Sequence, residues 1–452
     1  MKNFFRKATA FFILTAVTAG IFACGAFGGP DDDAEFASRG NHERSDILVD
    51  GMDPADTANA AQNGQNEQPI RPPENIPGNP RDPAGTTRLR FLAAGDNIVH
   101  QSVFEDAAQR AGSEQRFNFL PMYDGIAHLV READIAFINM ETPIAGEHRN
   151  FYGFPNFNTP KEAAEAIMEL GFNVINIANN HMMDMEEQGY KNHLDYWDAQ
   201  DVLYIGGYRN KDDFENIRVF EKDGISIAWV SFTYGTNGMH LPAGSQMFIP
   251  LISDNLMIQQ VQRAKTKADL VFVSMHWGPE DRFSASAEQR RQAQILVDNG
   301  VDVIIGHHPH VLQEVKWVDR TNYSGGGQTL IAYSLGNLIS TQHPLINMVG
   351  GLLQFDIVKN PHNEITIESP LLIPVMTHYI TPDFQNRPME RRGLQVYLLE
   401  NYTQELLEKH GTHYRTENSR PPETSGRAIT LDLVKSLVTN HVDREFLPDF
   451  FK

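Results

Sequence analysis

The sequence predicts an α/β protein built on parallel strands, and three observations carry that expectation. From Arg88 onward, apolar runs alternate with amphipathic segments, the pattern of successive βαβ units. The helical segments at 161–170 and 285–299 are each closed by a glycine, Gly171 and Gly300. The apolar runs themselves stop abruptly at carboxylate, amide or imidazole residues. Parallel crossovers bring all strand carboxyl ends to one edge, where open α/β sheets bind ligands. Scattered polar clusters thereby become one expected site.

The expected strands follow in order. Residues 89–94 (LRFLAA) lead into Gly95-Asp96, and 133–139 (ADIAFIN) into Met140-Glu141. Residues 172–178 (FNVINIA) end in Asn179-Asn180-His181, and 269–275 (DLVFVSM) in His276-Trp277-Gly278. Residues 301–305 (VDVII) end in Gly306-His307-His308-Pro309-His310, and 330–332 run into Tyr333-Ser334-Leu335-Gly336-Asn337. Helices are expected at 161–170, where Ala163, Ile167 and Leu170 share a face, and at 255–268 and 285–299. Residues 350–374 read as two strands joined by a turn at 360–363. Beyond about 385 two helices are expected, at 391–409 and 429–444, with no legible motif.

The N-terminus has a different character. Lys2, Arg6 and Lys7 precede an uncharged, mostly apolar run at 8–23, the form of a secretory signal peptide over 1–23. That run falls short of the ~20 residues a bilayer span needs, so a retained transmembrane helix is the weaker reading. Ile21-Phe22-Ala23-Cys24 resembles the lipobox of bacterial lipoproteins, which implies a lipidated Cys24 and an extracytoplasmic chain held to the cell membrane. Plain secretion is the alternative. Residues 25–86 hold 12 acids, four bases and eight prolines, too little apolar surface to offset ordering, so 24–86 reads as an acidic tethering linker.

Composition excludes several classes. Hydrophobic residues at 41% and charged residues at 21% are those of a soluble globular chain, which rules out wholesale disorder. A formal net charge of −20 makes nucleic acid a poor partner. With Cys24 as the one cysteine, neither a disulfide scaffold nor a thiolate metal site is available.

The strand ends supply the candidate site. Asp96 projects at the sheet edge or caps the segment that follows. Glu141 closes an apolar strand, where an acid is costly unless paired or metal-bound. Asn180 and His181 add an amide oxygen and an imidazole, His276 follows a strand, and His308 and His310 flank Pro309 on an expected exposed loop. Imidazoles mixed with hard oxygens suit Zn, Mn, Fe or Ni, and fit metal-assisted attack of water on a phosphate with a histidine protonating the leaving group. Trp277 reads as a pocket wall or core packing, Glu280 and Arg282 as site-facing or a surface ion pair. Asn337 reads as a ligand or histidine partner or a turn residue. His100, His148, His193 and His343 receive no role.

The runs GD (95–96), NMETPI (139–144), GFNVINIANNHMMD (171–184), SMHWGPE (274–280), GVDVIIGHHPHVLQ (300–313) and IAYSLGN (331–337) occur in the order of the CapA family, also called PgsA, the poly-γ-glutamate capsule synthesis proteins. The resemblance covers about 88–375. It implies a fold similar to calcineurin-like metallophosphoesterases, two packed β-sheets flanked by helices in a four-layer sandwich, over 87–375, followed by a helical extension at 376–452. It also implies metal ligation by Asp96, Glu141, Asn180, His276, His308 and His310, with His181 similar to the leaving-group acid. The chain departs from the wider superfamily at Ile98, where a histidine is usual, and at Glu141, where Asp is usual. The implied cofactor is a divalent transition metal, Zn or Mn, as one or two ions.

Three functions stay open at this point. The resemblance implies a surface-anchored component of capsule synthesis or export, working with other capsule-synthesis proteins on a polyanionic polymer. The ligand set alone fits a phosphoesterase acting on an extracellular phosphate ester. A lipoprotein binding module with a vestigial site is the third.

Overall fold

The computed structural model describes residues 83–113, 115–387, 389–414 and 429–451. The expected signal peptide, Cys24 and nearly all of the expected linker lie outside these residues. Among the described residues no helix is long and apolar enough to cross a membrane.

Two mixed sheets form the centre, flanked by helices, as expected. In chain order the strands are β1 (Thr87–Asn97), β2 (Ile135–Met140), β3 (Val174–Asn176), β4 (Leu203–Ile205), β5 (Arg218–Lys222), β6 (Ile225–Thr233), β7 (Leu270–His276), β8 (Val303–His307), β9 (Val315–Asp319), β10 (Gln328–Ala332), β11 (Asn337–Ile339), β12 (Val349–Lys359), β13 (Ile365–Ile380) and β14 (Arg392–Leu398). The first sheet runs β14-β13-β12-β1-β2-β3-β4, with β11 also paired to β1. The second runs β5-β6-β7-β8-β10-β9. Strands β1 to β4 are mutually parallel, as are β6, β7, β8 and β10.

The sheets pack through aromatic side chains. Phe137 of the first sheet stacks on Trp229 of the second with ring centres 5.2 Å apart, and Phe91 meets Phe272 edge-on at 5.4 Å. These rings belong to one buried core spanning both sheets. A second core lies between the outer face of the second sheet and helices Asp254–Ala264 and Ala287–Asp298, with Val261, Val273, Trp277, Leu296 and Ile304 among its members. Such burial, at about 25 cal/mol per Å2 of apolar surface, is what orders the strand ends.

Helix Lys161–Leu170 has the expected bounds, and Gly171 ends it at φ 117°. Residues 350–374 do form an antiparallel pair, β12 with β13. The helix expected at 391–409 does not form over its first half. Residues Arg392–Leu398 are instead the edge strand β14, paired antiparallel with β13. Leu394, Val396 and Leu398 are buried and their neighbours are not, a period of two that fits a half-buried strand and no helix. Only Gln404–Lys409 of that stretch is α-helical, and helix Leu431–Thr439 lies within the second expected helix.

Register positions the polar ends. Asp96 pairs across from Asn139 of β2 and Asn337 of β11. In the second sheet His276 pairs across from His307. The expected single sheet edge is therefore two facing edges, the carboxyl ends of the parallel strands of both sheets. Gly95 and Gly306 make room there: a Cβ at Gly95 would sit 2.0 Å from the Gly336 carbonyl oxygen, and one at Gly306 1.9 Å from that of Tyr333.

Candidate metal centre

Asp96 and Glu141 are fully buried at the ends of β1 and β2, with Asn139 between them. The Asn139 amide donates to Asp96 Oδ1 at 2.7 Å and reaches Glu141 Oε2 at 3.5 Å. Its own oxygen accepts from Asn176, whose oxygen accepts from Ser231 of the second sheet. This chain of amides fixes both acids and links the two sheets. Asn139 is a site residue the sequence reading missed, although it stands within the quoted NMETPI run.

Histidines approach from the second sheet. His310 Nδ1 lies 3.1 Å from Asp96 Oδ2 and 3.0 Å from Asn337 Oδ1, and its Nε2 is 3.8 Å from Glu141 Oε1. His276 Nε2 is 2.8 Å from Asn180 Oδ1 and 3.8 Å from Glu141 Oε1. The rings of His276 and His308 are 4.8 Å apart, and those of His308 and His310 5.7 Å. His307, not singled out from sequence, is fully buried with Nδ1 3.2 Å from Asp96 Oδ1.

The loop carrying His308 and His310 is buried, which corrects the expectation of an exposed loop. Each residue is only 3% exposed. The His308 backbone N–H donates to Asp96 Oδ2 at 3.1 Å, so the loop is folded inward onto the acid. Both residues take positive φ, 93° and 57°, a conformation costing non-glycine residues on the order of 1–3 kcal/mol and met mainly at functional sites.

Burial and charge set the protonation pattern. Burial alone would raise the Asp96 carboxyl, but the His307 and His310 rings beside it hold it well below the usual carboxylate range. Burial, with Asp96 adding its charge, pushes Glu141 well above. Burial drives His308 down to about 3 and His276 well below its ordinary value. Burial opposes protonation of His310 too, yet the Glu141 and Asp96 carboxylates overcome it and raise the ring to about 10.

The donors fit a divalent transition ion. Ligand atoms of Glu141, His308 and His310 lie within 4.8 Å of one another, as do those of Asp96, Glu141 and His276, so Glu141 belongs to both groups. Glu141 Oε1, His276 Nδ1 and His308 Nδ1 are buried without a hydrogen-bond partner. Native structures seldom leave such atoms orphaned, and an ion satisfies them. Asn180 Oδ1 bonds His276 and Asn337 Oδ1 bonds His310, so each steadies a candidate ligand, and the Asn180 oxygen itself stands beside His276 as the further ligand expected from sequence.

His181 stands apart from both ligand groups. Its Nδ1 is 2.8 Å from Asp184 Oδ2, which also accepts the Phe157 backbone N–H at 2.8 Å. Asn237 comes within 3.4 Å of the same nitrogen and accepts from Asn180. Asp184 was visible in sequence three residues after His181; nothing around Asn237 marked it. Tyr234, 47% exposed, lays its ring 4.5 Å from that of His308 and forms an open wall.

The remaining expectations separate. Trp277 is buried in the second core, donating to the Tyr333 carbonyl at 2.9 Å, so it packs and lines no opening. Glu280 is exposed, but its charge is felt at Glu141 and His310, which places it near the site. Arg282 is exposed.

Comparison with known proteins gives the family. The chain is 30% identical over 302 residues to "PGA biosynthesis protein CapA" of Bacillus subtilis, covering 64% of this chain and 71% of that one. It is 29% identical over 281 residues to "Capsule biosynthesis protein CapA" of Bacillus anthracis, covering 60% of this chain and 65% of the relative. Among solved structures, a putative 5′-nucleotidase from Staphylococcus aureus aligns with a TM-score of 0.41 and 14% identity, covering 64% of this chain and 54% of that one. NAD nucleotidase of Haemophilus influenzae aligns at 0.39 and 12%, covering 64% and 50%. Likeness at that level says nothing of substrate. A family model for the bacterial capsule synthesis protein PGA_cap matches residues 90–342, more than half of the sequence, and the chain belongs to that family.

Proposed function

We propose that this protein is a surface-anchored component of poly-γ-glutamate capsule synthesis or export, tethered through Cys24 and using a divalent metal, Zn or Mn, at the Asp96/Glu141/His276/His308/His310 centre. Family membership supports the pathway, and the names of both Bacillus relatives speak of capsule or polymer biosynthesis. One observation carries the metal-dependent part: five buried ligating side chains converge, three of them with an orphaned atom. A bound ion polarises an acyl or phosphoryl oxygen and lowers the pKa of water. The chain's own residues do the rest. Asn139 holds the two acids, Asn180 and Asn337 orient His276 and His310, and Asp184 fixes the tautomer of His181 so that Nε2 faces away from the acid. Such a histidine is suited to deliver a proton to a leaving group. That favours hydrolytic chemistry, on a phosphate ester or the polymer, over a vestigial site.

The test is metal analysis of the purified full chain, beside polymer accumulation in a capsule-forming host that lacks its own family member. Wild type retains one or two equivalents of metal and restores surface polymer. His308→Ala/His310→Ala retains none and restores none, and Cys24→Ala moves protein and polymer from the membrane to the medium. Full restoration by the metal-free double variant would sink the reading.

A further inference from the structure

Arg391 is 2% exposed and makes no ion pair among the described residues. A lone buried guanidinium is costly, because no opposite charge offsets its desolvation. Its Nη1 donates to the Met389 carbonyl at 2.6 Å, and its Nη2 stands 3.5 Å from His343 Nδ1. Its Nε has no hydrogen-bond partner. The Nε–Nη2 edge, the side of the fork that grips two oxygens in parallel, is thus largely unused.

Two buried hydroxyls stand beside it. Thr381 Oγ1, only 5% exposed, has no hydrogen-bond partner, and the fully buried Tyr379 hydroxyl has the Arg391 guanidinium as its neighbour. The guanidinium carbon lies 5.0 Å from the centre of the Tyr379 ring. Tyr379 and Thr381 are neighbours in space, since a Cβ on Gly411 would meet Tyr379 Cε2 at 2.3 Å and Thr381 Oγ1 at 2.5 Å. One charge with two idle donors, Arg391 Nε and Thr381 Oγ1, and the Tyr379 hydroxyl beside them are what an oxyanion needs. A single guanidinium balances a monoanion, whereas a phosphate dianion would keep an uncompensated charge there. Among monoanions that leaves a carboxylate or a phosphodiester, and the capsule reading selects the carboxylate.

The cluster flanks the metal centre. His100 feels the charges of Arg391, His181 and His310 together. Its Nδ1 accepts the Thr341 N–H at 3.3 Å, and the next residue, Gln342, accepts from Asn337, the partner of His310. Residues 379–391 lie outside the stretch the family model matches.

We propose that Arg391, Tyr379 and Thr381 form a receptor for one carboxylate of a substrate whose reacting part lies at the metal centre. Taken with the capsule reading, on which this step rests, the substrate is a γ-glutamyl chain. Linkage through the side-chain carboxyl leaves an α-carboxylate free on every residue. Against a net charge of −20, such a local cation, together with a bound metal ion, favours holding a polyanion.

Calorimetric titration of the purified full chain tests this with three probes: acetate, a short γ-linked glutamate oligomer, and the same oligomer with its α-carboxylates amidated. Wild type binds the acid oligomer about tenfold or more tightly than the amide, the scale of a lost charge-assisted hydrogen bond. Arg391→Lys, Tyr379→Phe and Thr381→Val each erode that preference. Thr381→Val keeps or raises the melting temperature, since it removes a buried unpaired hydroxyl, so weakened binding in that variant cannot be unfolding. Acetate that binds wild type but not Arg391→Lys, with no oligomer binding at all, keeps the receptor and discards the polymer. Oligomer binding unchanged in Arg391→Lys and Tyr379→Phe overturns the receptor and leaves the polymer reading standing. No binding of acetate or oligomer to wild type also overturns it.

Discussion

At the scale of single residues, the arrangement around His181 and that around His193 make different demands on an imidazole. His181 has its Nδ1 against Asp184 and its ring edge-on to Phe157, with centres 4.8 Å apart. It belongs to neither ligand group, so on the proposed reading losing its partner would cost proton delivery and not metal. Asp184→Asn retains wild-type metal content and lowers hydrolytic turnover of a phosphoester panel by about 10–100-fold, part of the 10²–10⁴ that a positioned acid supplies. Metal loss in that variant would contradict the division of labour. His193 is buried and accepts the Ile144 backbone N–H at 2.9 Å, and burial drives its pKa down to about 3 from 6.5. Between those values the unfolded chain binds a proton that the folded chain refuses. Stability is therefore full above pH 6.5 and falls as the pH drops, by up to about 1.4 kcal/mol per pH unit, levelling off near 3. His193→Asn keeps an acceptor for Ile144 and removes this slope. Its melting temperature should fall less steeply than wild type from pH 6.5 to 4.5, and parallel profiles would refute the assignment.

At the scale of elements, the centre depends on how closely the strand ends approach, and that closeness was partly legible. Each expected strand from 89 to 332 exists, because runs such as Leu270–His276 are apolar on both faces and lie between packed layers. The acids and histidines at their ends were legible as abrupt stops. What pattern reading does not reach is pairing between distant segments. That Asn139 would bridge Asp96 and Glu141 follows from register between β1 and β2, and His307 faces Asp96 only because the second sheet meets the first. Strand β14 was misread because Arg391–Lys409 mixes an alternating half with a helical half, and only the edge of β13 arbitrates. Arg391 carries no motif. Gly306 tests the closeness directly. A Cβ there meets the Tyr333 carbonyl oxygen at 1.9 Å and Trp277 Nε1 at 2.7 Å, and a backbone carbonyl does not swing aside as a flexible side chain does. Gly306→Ala should lower stability by roughly 1–3 kcal/mol through overpacking. It should also weaken metal retention by displacing His307 and the loop after it. A variant with wild-type melting and metal content would show that the strand ends tolerate separation.

At the scale of the whole molecule, the candidate metal centre lies where two sheets meet, so an ion bound there would bear on the stability of both. Without an ion, the fold holds Asp96 and Glu141 side by side in a fully buried place, with Glu141 pushed toward protonation by burial and by its neighbour. Orphaned atoms on Glu141, His276 and His308 add a desolvation cost with no return, and two residues of the loop hold strained positive φ. An ion bound to these groups offsets all three costs in the folded state. It finds no preformed site in the unfolded chain, so it shifts the folding equilibrium by mass action. At a free metal concentration near 100 times its dissociation constant the gain is about 2.7 kcal/mol. For a chain of this size that is on the order of 5 °C in melting temperature. Full-length protein stripped with a chelator should therefore melt lower than protein returned to Zn or Mn. The difference should vanish in His308→Ala/His310→Ala and persist in Arg391→Lys, whose side chain is no ligand. Equal melting of stripped and metal-loaded wild type would mean that the five side chains bind no ion that matters to the fold, and the cost of burying two acids together would then have to be met by protonation of Glu141 and of His310.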